Sequence, residues 1–263
     1  MTRRRLDVEL VRRHLARSRE QAQSFIDAGF VLVNGLVATK SATQVDEAAA
    51  IKVTESATDD FVSRGAHKLI GALDSFQIDV TGLTVLDAGA STGGFSDVLL
   101  RRGAEKIFCV DVGYGQLAWK VSQDERVVVM DRTNVRYLTP EALGEAVDLI
   151  VADLSFISLE TVLPALKLVL KPKGFALLMV KPQFEVGKEL LGSGGVVDSP
   201  IQRAHAVNKI AIKAYEIGLG TRGVVASPLP GPSGNVEYFL WLAFGAAQPL
   251  LEDIERAIQE GPA

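Results

Sequence analysis

The fold is decided by the stretch Leu83-Thr-Val-Leu-Asp87-Ala-Gly89-Ala-Ser-Thr-Gly93-Gly94-Phe95. An apolar strand ends in an acid and is followed by a loop of small residues and the start of a helix. In an open α/β sheet, ligands bind beyond the carboxyl ends of the strands. Small residues let the backbone approach a ligand, and a helix amino terminus favours negative charge. The stretch therefore predicts a ligand-binding loop at the end of a buried strand.

The glycine spacing in this loop excludes the common dinucleotide-binding fingerprint, because Gly89-x-x-x-Gly93-Gly94 does not fit G-x-G-x-x-G. An acid at the head of D-A-G-A-S-T-G-G-F resembles motif I of S-adenosylmethionine-dependent methyltransferases, whose loop passes the methionine part of the cofactor. The alternative is a plain strand-to-helix turn that needs glycine.

The sequence around this stretch alternates apolar strands with helices. Strands are predicted at 84–86, 106–110, 127–130, 147–152 and 175–180, with helices at 66–76 and 199–217. Such alternation predicts a parallel, doubly wound sheet. Two more strands are expected at 224–227 and 236–243.

The amino-terminal part predicts a separate small module. A short helix is expected from Asp7, a capping box at Ser18 and Gln21 starts a second one, and Asn34-Gly35 is a strong hairpin signal between two strands. A further strand is expected at 51–55. We therefore predict an amino-terminal domain at 1–58, a linker at 59–65 and a second domain at 66–263.

Charge is distributed unevenly along the chain. The formal net charge is −4, yet residues 1–40 hold eight Lys and Arg against four acids. A basic segment in a slightly acidic chain predicts a local anion-binding module. Its candidate binding residues are Arg3, Arg4, Arg5, Arg12, Arg13, Arg17 and Arg19.

Composition excludes several classes of protein. No apolar run reaches the ~18 residues of a membrane span, and the amino terminus has no signal-peptide core. Cys109 is the single cysteine, so no intrachain disulfide or cysteine zinc cluster can form. A single cysteine without a disulfide is typical of a cytoplasmic protein. The position of Cys109 in an apolar strand predicts that it is a small core residue.

Four predicted strands end in Asp, at Asp87, Asp111, Asp131 and Asp153. Successive carboxyl ends would form an acidic rim along one edge of the sheet. Ribose hydroxyls and an adenine amino group donate hydrogen bonds, and ionised carboxylates only accept them. The rim suits a nucleoside better than a phosphate, although any one of these acids could simply cap the next helix.

Two lysines and one glutamate complete the candidate chemistry. Lys181 follows the strand 175–180, Lys68 lies on the helix before the first strand, and Glu237 lies in the last strand. A hydroxyl that attacks a sulfonium methyl must be held in line and must lose its proton. Two neighbouring ammonium groups disfavour each other's charge, so one could act as a neutral base. Asp153 and Glu237 would orient them, and no metal is needed.

The absence of two motifs limits which kind of atom the chain could methylate. The position of the Asn/Asp-Pro-Pro-aromatic motif of amino methylation is occupied by Asp153-Leu-Ser-Phe156, and no Pro-Cys nucleophile of carbon methylation is present. Oxygen methylation remains.

At this point the chain resembles a known family. Lys68, Asp153, Lys181 and Glu237 match the Lys-Asp-Lys-Glu tetrad of FtsJ-type ribose methyltransferases. The blocks containing these residues, between 63 and 240, resemble the TlyA family, and the amino-terminal part resembles the RNA-binding module of ribosomal protein S4. The resemblance implies a Rossmann-like class I methyltransferase fold, with a mostly parallel seven-stranded doubly wound sheet and a small α+β RNA-binding domain. It also implies 2′-O-methylation of cytidine in 23S and 16S ribosomal RNA.

The same resemblance implies S-adenosylmethionine as the cofactor, no metal, and ribosomal RNA in ribosomal subunits as the partner. Phe156 could wall the adenine or belong to the core. The residues expected to bind the cofactor are Asp87, Gly89, Ala90, Ser91, Gly93, Gly94, Phe95, Asp111, Val112, Asp131, Asp153 and Phe156.

Two other functions stay open at this point. The chain could be an RNA-binding ribosome assembly factor with a degenerate methyltransferase fold, although an intact tetrad counts against that. It could also be a membrane-active haemolysin, which would need an apolar or amphipathic insertion segment. The candidate helix 159–170 contains Pro164 and Lys167 and is better explained as a cover of the sheet. The glycine-rich segment 187–197 is either a mobile lid or a plain connection.

Overall fold

The computed structural model describes residues 3–16, 18–27, 30–38, 40–53, 61–231 and 234–262. The chain divides into two units, Met1–Asp60 and Phe61–Ala263. Residues 54–60 lie outside the described part, and with them residues 59 and 60 of the predicted linker 59–65. The expected linker residues from Phe61 onward belong to the second unit, where the backbone N–H of Val62 donates to Asp97 Oδ2 at 2.9 Å.

The first unit is a small α+β fold around one apolar core. Leu6, Leu10, Ala22, Ile26 and Val31 form the centre of that core. Ser18 Oγ accepts the backbone N–H of Gln21 at 3.1 Å, so half of the predicted capping box is present. The elements are β1 (Arg4–Arg5), α1 (Leu6–Arg12), α2 (Arg19–Asp27), β2 (Val31–Val33), β3 (Leu36–Val37), β4 (Gln44–Val45) and β5 (Ile51–Val53).

The strands of this unit form two small antiparallel sheets. In one, β2 pairs with β3 through the predicted Asn34-Gly35 hairpin and with β5 on its other side. In the other, β1 pairs with β4. The second pair was not predicted, because strands of two residues are too short to show an alternating pattern.

The second unit alternates strands and helices, as predicted. Its elements are α3 (Gly65–Ser75), β6 (Thr84–Ala88), α4 (Gly94–Arg101), β7 (Lys106–Val110), α5 (Trp119–Ser122), β8 (Val127–Met130), α6 (Pro140–Leu143), β9 (Val147–Ala152), α7 (Leu159–Val169), β10 (Leu170–Val180), α8 (Pro182–Glu185), α9 (Pro200–Glu216), β11 (Leu219–Ala226), β12 (Tyr238–Phe244) and α10 (Leu251–Glu260).

These strands form one seven-stranded sheet in the order β11-β12-β10-β9-β6-β7-β8. Only β12 runs against its neighbours, so the sheet is mostly parallel, as the resemblance implied. The chain order reverses between β9 and β6, and in such sheets the ligand crevice lies at this switch, beyond the carboxyl ends of the strands. The glycine-rich loop follows β6 and therefore lies at the switch.

The two faces of the sheet carry separate apolar cores. Leu86 and Ile150 belong to the core on one face, and Val85 and Leu149, their neighbours in sequence, to the core on the other. Side chains alternate between the faces of a strand, so runs of apolar residues are required when both faces are covered. The doubly wound architecture is thus confirmed.

Two strands are longer than predicted. β10 begins at Leu170, which pairs with Val147. The register of the pairing then shifts between Leu170 and Phe175. The residues between Leu170 and Phe175 are not apolar, so the sequence pattern did not predict this first part of β10. β11 begins at Leu219, five residues before the predicted start at 224. This first part was not predicted because it contains Gly220 and Gly223 and lies at the edge of the sheet, where a continuous apolar run is not required.

Candidate active site

The glycine-rich loop after β6 depends on glycine at two positions. Gly89 has a φ of +85°, and a Cβ there would lie 2.7 Å from the backbone oxygen of Asp153. Gly93 has a φ of +91° and precedes α4, and its Cβ would lie 2.8 Å from Leu117 Cδ1. Both the positive φ and the close contacts exclude a side chain. The loop therefore packs tightly between the ends of β6 and β9.

Two of the predicted acids bridge neighbouring loops at this edge. Asp111 accepts the backbone N–H of Ser91 at 2.8 Å and that of Gly113 at 2.7 Å. Asp131 accepts the backbone N–H of Gly115 at 2.9 Å. Since each carboxylate oxygen can accept more than one hydrogen bond, these contacts leave acceptor capacity for a ligand.

Asp87 differs from the other acids and corrects the simple picture of a rim. It is fully buried inside β6, where Oδ2 accepts the hydroxyl of Ser96 at 2.6 Å. Its Oδ1 is buried with no hydrogen-bond partner. Burial raises the pKa of Asp87 to about 7, although the Ser96 hydrogen bond opposes this. Asp87 therefore lies beneath the loop and not on its surface.

Cys109 lies beside this buried acid. Its Sγ is 3.0 Å from Ser96 Oγ, and burial raises the pKa of the thiol to about 12. Such a thiol stays protonated and unreactive at neutral pH. The prediction of a core cysteine is confirmed.

Aromatic side chains project from the same edge of the sheet. Phe156 is 91 % exposed at a φ of +64°, with its ring centroid 5.3 Å from that of Phe184. The possibility that Phe156 is a core residue is therefore wrong. Val112 and Tyr114 are also exposed, and the guanidinium of Arg132 lies 4.3 Å from the centre of the Tyr114 ring.

Lys68 forms a buried ion pair with Glu237. Its Nζ lies 2.5 Å from Glu237 Oε2, and the two residues are 5 % and 1 % exposed. Glu237 was expected inside the last strand, but β12 begins at Tyr238, two residues later than predicted, so Glu237 comes directly before it. The Oε1 atom of Glu237 has no hydrogen-bond partner. A Cβ on Gly231 would lie 2.6 Å from this oxygen, so the backbone there closes tightly over the carboxylate.

Lys181 forms a second pair with Asp153. Its Nζ lies 2.6 Å from Asp153 Oδ1 and donates to Ser155 Oγ at 2.9 Å. Val180 pairs with Tyr238 in the sheet, so Lys181 and Glu237, the next residues along, lie at the same end. The structure thus brings all four predicted tetrad residues to one end of the sheet, next to the glycine-rich loop.

This arrangement has a definite chemical capacity. Each lysine is nearly buried and is matched by one carboxylate, and removing either partner of such a pair would leave an uncompensated charge. The pairs are therefore held in place. Each ammonium has three donors, so both can also bind an oxygen of a substrate.

In the first unit, two buried carboxylates form ion pairs with the arginines. Asp7 and Glu9 are 2 % and 1 % exposed. Hydrogen bonds from Arg5 lower the pKa of Asp7 to about 2, and hydrogen bonds from Arg12 lower that of Glu9 to about 2. Sequence reasoning missed this role, although acids three and four residues before arginines in a helix suggest such pairs.

The predicted anion-binding arginines therefore fall into different environments. Arg13 donates to Glu9 and to the backbone oxygens of Ala49, Asp46 and Glu47, and its side chain is only 22 % exposed. Arg19 also pairs with Asp7 but is 63 % exposed. Arg17 lies outside the described residues. Arg3 is exposed, and Arg4 lies 3.9 Å from Glu9.

Comparisons with known proteins agree with both units. A model of the FtsJ-like methyltransferase family matches residues 61–244, and one of the S4 domain matches residues 4–51. The Mycobacterium tuberculosis protein named 16S/23S rRNA (cytidine-2′-O)-methyltransferase TlyA is 57 % identical, with 98 % of each chain covered. The chain belongs to the TlyA family of FtsJ-like methyltransferases. The resemblance seen in the sequence is confirmed, and with it a methyltransferase joined to an S4 domain.

Other members of the TlyA family carry a different description. Hemolysin A of Brachyspira hyodysenteriae is 35 % identical and covers 89 % of this chain and 97 % of its own. A solved structure from Streptococcus thermophilus, described as a candidate hemolysin, is 34 % identical, with a TM-score of 0.79 over 99 % of this chain and 96 % of its own. Among the helices that the structure describes, none is long and apolar enough to cross a membrane.

Several polar side chains around the two ion pairs were not singled out from the sequence. Arg64 donates to the backbone oxygen of Pro230 at 2.8 Å. Asn235 accepts a hydrogen bond from the backbone N–H of Val197 at 2.9 Å and donates one to the backbone oxygen of Gly195 at 3.0 Å. These bonds connect the glycine-rich segment 187–197 to the residues just before β12. These residues lie within the family blocks, but their partners are distant in sequence and could not be inferred.

Proposed function

We propose that the chain transfers a methyl group from S-adenosylmethionine to the ribose 2′-hydroxyl of cytidine in 23S and 16S ribosomal RNA. The observation that carries the proposal is that two nearly buried lysines form ion pairs beside the glycine-rich loop, Lys68 with Glu237 and Lys181 with Asp153. The activity for which the M. tuberculosis relative is named supports the same reaction. A cytoplasmic location follows if ribosomal subunits are the substrate.

The residues around the loop fit S-adenosylmethionine, which when bound supplies a methyl group on a positively charged sulfur. Gly89 and Gly93 allow the tight turn of the loop beyond β6, and the unpaired Oδ1 of Asp87 beneath it is a buried acceptor without a donor. Asp111 and Asp131 offer carboxylates to hydroxyl and amino groups. The further cofactor contacts are proposed at Ala90, Ser91, Gly94, Phe95, Val112, Asp153 and Phe156.

The two lysines would act on the attacking hydroxyl. Their ammonium groups hold the 2′-oxygen by hydrogen bonds, and one of them, in its neutral form, takes the proton as the oxygen attacks. Asp153 and Glu237 keep each lysine in one position. Burial of all but a few per cent of both lysines also excludes water that would compete for the methyl group.

The first unit would hold the RNA. Arg5, Arg12 and Arg19 combine fixed positions on buried carboxylates with side chains that are 43 %, 41 % and 63 % exposed. A guanidinium that stays charged and fixed suits phosphate, and folded RNA is bound largely through its shape and its phosphates. Arg3 and Arg4 would extend this surface, and Arg17 is proposed as a further RNA-binding residue.

The decisive experiment maps the product. The purified chain is incubated with methyl-labelled S-adenosylmethionine and separated large and small ribosomal subunits, and the RNA is then digested to nucleosides. We expect the label in 2′-O-methylcytidine, and none with the Lys181→Ala variant. Label on a base, or no label in either subunit while the cofactor binds, would contradict the proposal.

A further inference from the structure

The ion pair of Lys181 and Asp153 depends on two short segments outside the sheet. Asp153 begins the loop between β9 and α7, and Lys181 begins the turn formed by α8 after β10. The parallel pairing of these strands ends with Leu178 and Ala152. Val180 still pairs with Tyr238, and the backbone N–H of Asp153 donates to the oxygen of Ala88 at 3.1 Å. The sheet therefore fixes the start of each segment, and contacts beyond the sheet hold the residues that follow.

Glu185 joins these two segments at their far ends. It is the last residue of α8 and is 6 % exposed. One carboxyl oxygen accepts the hydroxyl of Ser158 at 2.5 Å, and the other accepts the backbone N–H of Leu159 at 2.8 Å. Both carboxyl oxygens are thus bonded to residues at the start of α7.

The contacts between the segments form three successive links. Lys181 binds Asp153 and Ser155 at one end, and Glu185 binds Ser158 and Leu159 at the other. Between them, the rings of Phe156 and Phe184 are in contact. Loop and turn are thus fixed along their whole length, and Glu185 supplies the link farthest from the reacting groups.

The environment of Glu185 favours one fixed geometry. Its carboxylate lies at the amino terminus of α7, a helix of 11 residues, where negative charge is favourable. Burial raises the pKa of Glu185 and the Ser158 hydrogen bond lowers it. A buried carboxyl with two short hydrogen bonds has little freedom to move, and moving it would leave polar groups unsatisfied.

We propose that Glu185 is a positioning residue for Lys181: by bonding Ser158 and Leu159 it holds the turn of Lys181 against the loop of Asp153. The inference rests on the proposed function, because it assumes that Lys181 acts on the substrate hydroxyl. Within the described structure the carboxyl group of Glu185 bonds Ser158 and Leu159 and no tetrad residue. It acts on Lys181 through the backbone of α8, which begins directly after Lys181.

The test uses the full-length chain with ribosomal subunits as substrate. Glu185→Ala is expected to lower kcat by about 10- to 100-fold, because small misplacements of a reacting group are costly, with the cofactor Kd and the KM for subunits changed by less than about twofold. Ser158→Ala, which removes one link at a half-exposed position, should lower kcat by a smaller factor. Glu185→Gln can keep both hydrogen bonds if the Ser158 hydroxyl reverses, and should recover most of the rate.

The pH profile separates positioning from simple structural support. Loosening Lys181 from the Asp153 carboxylate disfavours the charged ammonium, so the rise of kcat with pH should move to lower pH in Glu185→Ala and Ser158→Ala. Glu160→Gln is the matched control, since Glu160 lies in the same turn of α7 but pairs with Lys209 and Lys213. Lys209 donates to the backbone oxygen of Glu185 at 3.3 Å, so this variant leaves both hydrogen bonds of the Glu185 carboxyl group in place. Its rate and pH profile should equal those of the wild type.

Each outcome decides. Wild-type kcat and pH profile in folded Glu185→Ala and Ser158→Ala, or an equal loss in Glu160→Gln, would overturn the inference. So would a loss of cofactor affinity as large as the loss of rate. If Glu185→Ala does not fold, Ser158→Ala and Glu185→Gln decide by the same criteria. A wild-type chain that methylates no ribose would instead refute the proposed function.

Discussion

The two units pair carboxylates with cations in different ways. In the first, Asp7 and Glu9 each bind several arginines whose side chains reach the surface. In the second, Asp153 and Glu237 each bind one lysine that is almost fully buried. A guanidinium keeps its charge and presents a planar set of donors, whereas a lysine can lose its proton when its surroundings change. The first arrangement suits the binding of an anion, and the second suits the transfer of a proton.

The largest expected effect concerns the lysine pairs. Lys181→Ala should lower methyl transfer by about 10²- to 10⁴-fold, the usual contribution of a general base, while S-adenosylmethionine still binds. Lys68→Ala should also nearly abolish transfer. Single-turnover rates and calorimetry measure the two properties separately.

A matched lysine serves as the control for this prediction. Lys106 forms an ion pair with Glu145 at 2.7 Å, but both side chains are about 40 % exposed. Lys106→Ala should leave the rate unchanged. Lys181→Arg should not restore the rate, because a guanidinium stays protonated. Normal turnover by Lys181→Arg would show that only a fixed positive charge is needed.

The next effect separates the arginines of the first unit. Arg19→Ala should weaken RNA binding several-fold at low salt and reduce the salt slope by about one, because one phosphate contact is lost. Arg13→Ala should act mainly on stability, since Arg13 bonds the backbone of residues 46, 47 and 49. Salt-dependent RNA binding and thermal unfolding of both variants test this division. Equal effects of the two variants on both measurements would contradict it.

A smaller effect is expected at acid pH. The arginines lower the pKa of Asp7 and of Glu9 to about 2. A carboxylate with a lowered pKa contributes stability at neutral pH that is lost as pH falls from about 4 to 2. Glu9→Gln should reduce the free energy of unfolding of the first unit at pH 7 by about 1–2 kcal/mol, with less difference at pH 2. Chemical unfolding at both pH values measures this, and a difference independent of pH would disprove the coupling.

A further effect has the opposite sign and lies in the second unit. Burial raises the pKa of Asp87 to about 7, so the folded chain holds this proton more tightly than the unfolded chain. Stability without cofactor should therefore fall as pH rises from about 4 through 7. Asp87→Asn should show a weaker fall in melting temperature between pH 5 and pH 8. Asp74→Asn, at an exposed carboxylate paired with Arg102, is the control; identical pH profiles for wild type and Asp87→Asn would refute the prediction.

Much of the second unit could be predicted from local pattern. The strands β7, β8 and β9 have the predicted bounds, because each is an almost continuous run of apolar residues in a parallel sheet. The first half of the edge strand β11 and the start of β10 were missed, since their glycine and polar residues carry no such pattern. In the first unit, the hairpin at Asn34-Gly35 was predicted from its turn chemistry, but the pair β1–β4 was not.

For the candidate site, the sequence determined the residues, and the tertiary structure determined their relations. Residue type and position after a strand are local properties, so Lys68, Asp153, Lys181 and Glu237 could be singled out from the sequence alone. Which lysine pairs with which carboxylate was decided only by the sheet order, which places β12 beside β10 and β10 beside β9. The same holds for the burial of Asp87, the exposure of Phe156 and the link between Glu185 and Ser158. Burial and long-range hydrogen bonds depend on how distant segments pack, and no local pattern encodes that packing.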